Sequence, residues 1–177
     1  MDGPQHRGFT LPELMCALAI MAGLAGWGMP TFRELALNAA RTREVNEFVQ
    51  AIHLARSEAI KRNGVVSLCP SPDGATCAAS TDWHTGWIVF VNLDRDSPAV
   101  RDGGEELLHA YDAWDAGQIA ANRTTLSFRA FGQSGVTATV TFCDDRGSGA
   151  ARAVIISQTG RPRISLRTSS GSALLCS

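Results

Sequence analysis

The chain has 177 residues, of which 45% are hydrophobic, so it is long enough for one modest domain and an anchor and is not expected to be disordered. Its formal net charge of −1 excludes a protein that binds nucleic acid through the charge of the whole molecule. The charge is unevenly distributed, however: residues 94–115 carry seven carboxylates and two arginines, whereas no acidic residue and five arginines follow Asp145. We therefore expect an acidic side and a basic end.

The first predicted element is an apolar helix near the N-terminus. Residues 14–29 contain no charged or strongly polar side chain, and residues 9–29 match the thickness of a bilayer core at roughly 1.5 Å per residue. We predict one membrane-spanning helix at 9–29. A cleaved secretory signal is the alternative, but the leader is barely basic, with Arg7 offset by Asp2, and no small-x-small cleavage site follows. Glu13 also indicates function, because a carboxylate inside an apolar segment is costly.

Residues 8–13, with the sequence GFTLPE, resemble the cleavage motif of type IV prepilins. The resemblance implies that a prepilin peptidase cuts between Gly8 and Phe9, removes residues 1–8 as a leader and methylates the new amine of Phe9. Glu13 is then expected to pair, within a filament, with the amine of a neighbouring subunit, since pairing offsets the cost of burying both charges. Snorkelling of Glu13 to the membrane surface is the alternative, but it does not account for the surrounding motif.

The charges that flank the apolar segment predict a membrane orientation opposite to the one that the cleavage motif requires. More arginines follow the segment than precede it, which by the positive-inside rule places residues 30–177 in the cytoplasm. Large domains translocate largely regardless of such charges, and the cleavage motif requires Gly8 at the cytoplasmic face. The resemblance therefore implies a single-pass protein of the bacterial inner membrane, with residues 30–177 as a periplasmic domain, that is later assembled into a pilus or pseudopilus.

The helical pattern continues to about residue 62. An apolar stripe at three-to-four-residue spacing is formed by Val45, Phe48, Val49, Ile52, Ala55, Ala59 and Ile60. The charged residues that are predicted mostly to face elsewhere are Arg41, Arg43, Glu44, Glu47, Arg56 and Lys61. Asn63 and Gly64 suit the end of the helix.

Short segments rich in β-branched or aromatic residues follow the helix, separated by Gly, Pro, Asn and Asp. The predicted strands are 65–69, 86–92, 107–111, 125–129, 136–143, 152–157 and 163–167. The predicted fold class is α+β, with a long N-terminal helix packed on antiparallel sheet, which is also the type IV pilin architecture that the resemblance implies. We expect Trp83, Trp87 and Trp114 in the core or on a sheet face rather than in a platform that stacks bases.

The chain has five cysteines, of which Cys16 lies apart in the apolar segment. The other four allow three disulfide pairings, and disulfides are expected outside the cytoplasm. Cys69 and Cys77 close a short loop and are natural partners, which leaves Cys143 with Cys176. A zinc site is the alternative, disfavoured because no CxxC pair is present, and we predict no metal and no other cofactor.

The middle of the chain resembles the GspH/FimT branch of the pilin-like proteins. The resemblance is carried by residues 48–60 (FVQAIHLARSEAI), by the strand at 65–69 and by residues 86–90 (GWIVF). In FimT-like minor pilins a Gly-Arg-x-Arg motif near the C-terminus is associated with DNA binding during natural transformation. Gly160, Arg161 and Arg163 match this motif residue by residue.

Two closely spaced guanidinium groups on an exposed loop suit phosphate oxygens, and such binding is mainly independent of sequence. Arg167 and Arg152 are candidate extensions of this patch. A β-turn with two solvated arginines is the alternative. The resemblance thus implies a FimT-like minor pilin that supports assembly of a type IV pilus and binds double-stranded DNA for uptake. Its expected partners are other pilins or pseudopilins, prepilin peptidase, the inner membrane and DNA, and a GspH-type pseudopilin of a type II secretion system is the alternative.

The sequence gives little support for a calcium site or for a catalytic site. A loop calcium site could use Asp94, Asp96, Asp102 and Glu105, but the spacing is not that of an EF-hand, and a solvated loop is the simpler interpretation. An enzyme is the third hypothesis. The spacing of His53, Ser57 and Glu58 fits a helix surface equally well, and Cys143 with a histidine requires a reduced thiol in an oxidising compartment, so we predict no catalytic residues.

Overall fold

The computed structural model describes residues 9–130 and 137–176, except for the side chains of residues 25–31. The chain divides into two compact units, Met1–Ala39 and Ala40–Ser177. Helix α1 (Leu11–Arg62) contributes residues to both units. The predicted leader, including Gly8, lies outside the described residues.

The first unit presents an apolar helix surface. α1 places Glu13 in its first turn, and large apolar side chains such as Phe9 and Met15 are exposed by 80% and 64%. Within residues 9–130 and 137–176, side chains of 25–31 excepted, no helix combines the length and hydropathy needed to cross a bilayer. The membrane span expected at 9–29 is therefore not confirmed.

α1 ends where the sequence predicts. The Gly64 N–H donates to the carbonyl of Ala59 (3.0 Å) and the Asn63 N–H to the carbonyl of Ile60 (3.2 Å), while Asn63 adopts φ 50°. This is a Schellman cap, which satisfies the last carbonyls of the helix at Arg62.

In the described residues, 9–130 and 137–176, eight strands form two antiparallel sheets. They are β1 (Val65–Pro70), β2 (Trp87–Asn92), β3 (Leu107–Tyr111), β4 (Gly117–Ala121), β5 (Leu126–Arg129), β6 (Ala138–Asp144), β7 (Arg152–Ile156) and β8 (Pro162–Ser165). Sheet A has the order β3-β2-β1-β5, and sheet B has the order β4-β6-β7-β8. The α+β class with a helix on antiparallel sheet is confirmed.

The sequence pattern missed β4. Its sequence, GQIAA, contains one β-branched residue among glycine and alanines, which have weak strand propensity. Ile119 is nevertheless fully buried, and the strand pairs with β6 from Gly117↔Asp144 to Ala121↔Val140. Tertiary pairing and one buried side chain thus create a strand that local preference does not predict.

The main core lies between the C-terminal part of α1 and the inner faces of both sheets. Phe48 packs edge-on against Trp83, Trp87 and Phe142, with ring centroids 5.5–5.7 Å apart, and all four side chains are fully buried. Trp114 is also buried, which confirms the expectation for the three tryptophans. The predicted stripe is confirmed from Val45 to Ala59, except that Val49 is only half-buried; Ile60, 53% exposed, lies outside it.

Two charged residues of α1 contradict the predicted pattern, because Arg41 and Glu44 are buried rather than solvent-facing. Arg41 donates hydrogen bonds to the carbonyl of Ala150 and to Asp144 Oδ2 (3.5 Å). The Glu44 carboxylate accepts two hydrogen bonds from the Arg43 guanidinium (2.7 and 3.2 Å), while burial raises the pKa of Glu44. These charges are tolerated inside because each has a charged or polar partner.

The structure contains the disulfides Cys69–Cys77 and Cys143–Cys176, the pairing that the short first loop favours. The second bond holds the C-terminal tail against the outer face of sheet B. Leu174 there packs in a small cluster with Ala153 and Ile155. The tail therefore closes a second, minor core on the side of sheet B away from α1.

Phe48→Ala tests whether the aromatic cluster holds the helix and sheets together. Removing the ring leaves a cavity bounded by three aromatic side chains, so we expect a loss of about 3–5 kcal/mol in unfolding free energy. Denaturant unfolding of the full chain, followed by tryptophan fluorescence, measures it. Gln50→Ala, at an exposed position on the same helix, is the matched control and is expected to change stability by no more than about 0.5 kcal/mol. Equal losses in the two variants would contradict this account of the core.

Candidate nucleic-acid interface

The Gly-Arg-x-Arg motif lies in the hairpin that joins β7 and β8. The Gly160 N–H donates to the carbonyl of Ser157 (2.8 Å), and the Ser157 N–H donates to the carbonyl of Arg161 (3.2 Å). Gly160 has φ +69°, the left-handed conformation that this type of hairpin turn requires at its last loop position. The glycine of the motif is therefore explained by backbone geometry, and it fixes where the following arginine leaves the turn.

Arg161 and Arg163 are both exposed; Arg161 directly precedes β8, and Arg163 is the second residue of that strand. Because alternate residues of an extended chain share a face, we expect Arg161 and Arg163 to lie on one side and Pro162 on the other. β8 is an edge strand of sheet B, where a proline is tolerated because one row of backbone groups needs no strand partner. The hairpin thus presents two cations on an accessible edge.

The other C-terminal arginines are engaged by the protein. Arg146 binds Asp144 through two hydrogen bonds of 2.9 and 2.6 Å, and these hold the pKa of the Asp144 carboxyl below its usual range. Arg152 donates to the carbonyls of Ala150 (3.1 Å) and Ala151 (2.9 Å). The expected basic end therefore contains arginines with structural contacts as well as the two on the hairpin.

The strand register separates the two candidate extensions from the hairpin turn. Arg152 pairs with Phe142 at the start of β7, whereas the turn follows Ile156 at the other end of that strand. Arg167 lies beyond the end of β8 and donates to the carbonyl of Gly171 (3.0 Å). The structure thus brings Arg161 and Arg163 together and places Arg152 and Arg167 toward the opposite end of the β7–β8 pair.

The acidic loop uses its carboxylates to shape its own backbone. Asp96 accepts hydrogen bonds from the Asn92 amide group (2.9 Å) and the Val100 N–H (2.9 Å), and Glu105 accepts from the Leu93 N–H (2.6 Å). In the part of the chain that the structure describes, no three His, Cys, Asp or Glu residues are grouped to hold a metal ion.

The helix residues considered for catalysis also make structural contacts. The Ser57 hydroxyl donates to the carbonyl of Leu54 (2.9 Å), and the Glu58 carboxylate accepts from Lys61 (3.1 Å) and Arg62 (2.7 Å). The two charge-assisted bonds lower the pKa of Glu58. Both side chains therefore make their contacts within α1 itself.

Sequence reasoning missed a second group of arginines, Arg95, Arg123 and Arg129, which line one pocket on sheet A. Arg123 and Arg129 flank or end β5, whereas Arg95 lies in the β2–β3 loop among acidic residues. No local motif identifies such a group, because only the pairing of β1 with β2 and β5 brings the segments together.

Comparison with known proteins is consistent with this architecture. Residues 44–160 match the family model described as Type II transport protein GspH, and residues 4–26 match that of the prokaryotic N-terminal methylation motif. The pilin-like protein PilA1 of Thermus thermophilus is 31% identical, with coverage of 90% of this chain and 98% of that protein.

Two crystal structures of the type IV minor pilin FimU of Pseudomonas aeruginosa PAO1 share the fold. Their TM-scores are 0.54 and 0.55 at 23% and 24% identity, and the matches cover 78% and 82% of this chain and 98% and 99% of theirs.

Gly160→Ala tests whether the motif glycine serves the turn. A side chain in the left-handed conformation costs about 1–2 kcal/mol, so we expect a loss of that size in unfolding free energy. Gly149→Ala is the matched control, because Gly149 is not in the left-handed conformation and a Cβ added there meets no atom within 4 Å. Thermal and denaturant unfolding compare the two, and a neutral Gly160→Ala variant would show that the turn tolerates any residue.

Proposed function

Because the chain belongs to the GspH family of type IV minor pilins and pseudopilins, we propose that it is a FimT-like minor pilin that supports pilus assembly and binds double-stranded DNA for uptake in natural transformation. The observation that carries the DNA-binding part is that Arg161 and Arg163 are both exposed on the β7–β8 hairpin. The family match ends at Gly160, so both arginines lie immediately beyond the matched part of the chain.

The hairpin suits a phosphodiester backbone for physical reasons. Residues two apart in a strand are separated by about 7 Å, so each guanidinium is free to engage its own phosphate oxygens. Contacts of this kind carry no sequence information, as uptake of DNA of any sequence requires. With a net charge of −1 the rest of the molecule adds no general attraction, so binding depends on these local cations.

The proposed route to the pilus begins with a precursor in the inner membrane, anchored by residues 9–29, with residues 30–177 in the periplasm. Prepilin peptidase cuts before Phe9 and the new amine is methylated. The match of residues 4–26 to the N-terminal methylation motif supports this proposal. Phe9 is exposed, and Glu13 in the first turn of α1 is exposed as well, so both are accessible to neighbouring subunits.

A GspH-type minor pseudopilin of a type II secretion system is the second candidate. The observation that favours it is the description of the family whose model matches residues 44–160. The same anchor and fold serve either assembly, so the hairpin arginines are what separate the two candidates.

The double variant Arg161→Ala with Arg163→Ala tests DNA binding. Each phosphate contact contributes about 0.9 to the slope of log affinity against log salt, so we expect weaker binding and a slope shallower by about 2. Fluorescence anisotropy of a labelled DNA duplex, titrated with the full chain in mild detergent across a salt series, gives both quantities.

The matched control is Arg152→Ala with Arg167→Ala, which removes the same charge toward the other end of β7 and β8. It is expected to keep the wild-type salt slope. Equal losses in the two double variants would indicate a general charge effect, and salt-insensitive or absent binding by the wild-type chain would favour the secretion pseudopilin.

Intact-mass analysis of the protein from its native membrane or fibre tests the processing step. We expect a mature chain that starts at Phe9 and carries one extra methyl group. A bulky replacement at the cleavage site, Gly8→Leu, is expected to keep the leader.

Glu13→Gln separates cleavage from assembly. It is expected to be cut normally and to enter fibres less well, since the amide cannot pair with an ammonium group as a carboxylate does. A wild-type chain that still begins at Met1 in the fibre would refute the proposed processing.

A further inference from the structure

A pocket of about 380 Å³ lies between the β2–β3 loop and the β5 edge of sheet A. It is lined by three arginines, Arg95, Arg123 and Arg129, together with hydroxyl-bearing residues of β5 and the segment before it. Neither Arg161 nor Arg163 of the β7–β8 hairpin lines this pocket. Guanidinium and hydroxyl donors around one space are the combination that binds phosphate oxygens.

Strand register explains how distant arginines meet here. Val65 at the start of β1 pairs with Asn92 on one side and Arg129 on the other, so these three residues form a row across one end of sheet A. Arg95 follows closely after Asn92 in the β2–β3 loop. Sheet pairing, rather than chain proximity, therefore brings Arg95 and Arg129 to the same pocket.

The loop over the pocket is anchored by hydrogen bonds. Asn92 Nδ2 donates to Ser67 Oγ on β1 (3.2 Å) and to Asp96 Oδ1 in the loop (2.9 Å). The Ala99 N–H donates to Thr125 Oγ1 (3.3 Å), which leaves the Thr125 hydroxyl hydrogen available as a donor. Hydrogen bonds thus connect the β2–β3 loop on one side of the pocket to β1 and to the segment before β5.

The positive charge of the three arginines exceeds the negative charge of the residues that line the pocket. Asp96 is the one carboxylate among the lining residues, and neutral donors, Asn92 Nδ2 and the Val100 N–H, occupy its two oxygens. Among residues 9–130 and 137–176, neither Arg95 nor Arg129 forms an ion pair. Arg123 makes one long contact, from Nε to the carbonyl of Thr137 (3.5 Å).

We propose that this pocket is a binding site for a phosphate oxyanion, held by Arg95, Arg123 and Arg129. The hydroxyl of Thr125 adds a neutral donor on the same side. Because the pocket is partly open to solvent, the phosphate bound there is either free or part of a larger molecule. Both sources present the same phosphate oxygens to the arginines.

Placement in the fold relates the pocket to the hairpin. Asn122 donates its N–H to the carbonyl of Thr139, and Thr139 pairs with Ile155, which pairs with Arg163. Arg123 and the hairpin therefore lie at the same end of sheet B, about three strand spacings or 14 Å apart. A DNA strand bound at the hairpin is one source of the phosphate, and this part alone rests on the proposed function.

The test uses Arg95→Asn with Arg129→Gln in the full chain. Asn is chosen because Arg95 has φ 62°, a conformation that asparagine tolerates. Thermal unfolding is measured with inorganic phosphate and with chloride at equal ionic strength. Phosphate is expected to raise the melting temperature of the wild-type chain, and the double variant is expected to lose this shift. Arg129→Gln alone, which leaves the loop sequence intact, is expected to lose most of it and guards against misfolding at residue 95.

The control Arg152→Gln with Arg167→Gln removes the same charge and is expected to keep the phosphate-specific shift. Absence of any such shift in the wild-type chain, together with unchanged DNA affinity in Arg95→Asn with Arg129→Gln, overturns the proposal. A shift that the control variant also loses overturns it as well.

DNA anisotropy identifies the source. A roughly tenfold weaker DNA affinity in the pocket variant assigns the phosphate to a nucleic-acid strand, whereas unchanged DNA affinity with a lost phosphate shift assigns it to a free phosphate. The proposed DNA-binding function can fail independently of the pocket. In that case Arg161→Ala with Arg163→Ala keeps the wild-type DNA affinity, while phosphate still raises the melting temperature of the wild-type chain.

Discussion

The packing of one phenylalanine against three aromatic rings is the contact on which the rest of the second unit depends. Phe48 lies on α1, Trp87 on sheet A and Phe142 on sheet B, and Trp83 closes the group from the segment between β1 and β2. Among the residues that the structure describes, the two four-stranded sheets share no ladder of paired strands, and α1 and both sheets contribute side chains to the same core. Pocket and hairpin both sit on backbone that this core holds in place.

Sequence reasoning recovered the parts of the fold that local chemistry determines. The apolar stripe, the helix end at Asn63 and Gly64, most strands and the cysteine pairing all follow from spacing and turn chemistry. It missed β4, because glycine and alanine give no strand signal, and the burial of Arg41, because its partner Asp144 is 103 residues away. Long-range partners decide those features, and a linear pattern does not contain them.

The same distinction separates the two groups of basic residues. The hairpin was predictable because Gly160, Arg161 and Arg163 are neighbours in sequence, and the structure adds the reason for the glycine. The arginine pocket was not predictable because its members come from a loop, a strand end and a connecting segment. Arg95 lies between Asp94 and Asp96 in sequence, and only three-dimensional contacts show that the Asp96 carboxylate accepts from an amide and a backbone donor.

The disulfide between Cys143 and Cys176 has a mechanical consequence. The disulfide closes a covalent loop that contains both β7 and β8. The loop begins at Cys143 in β6, and the chain that follows β8 comes back to β6 at Cys176. A pull on the hairpin is therefore resisted in two ways, by the hydrogen-bonded ladder between β7 and β8 and by a covalent tether behind it. If force separates β8 from β7, the disulfide limits how far the chain extends. β8 then stays close to β7 and can pair with it again when the force is removed.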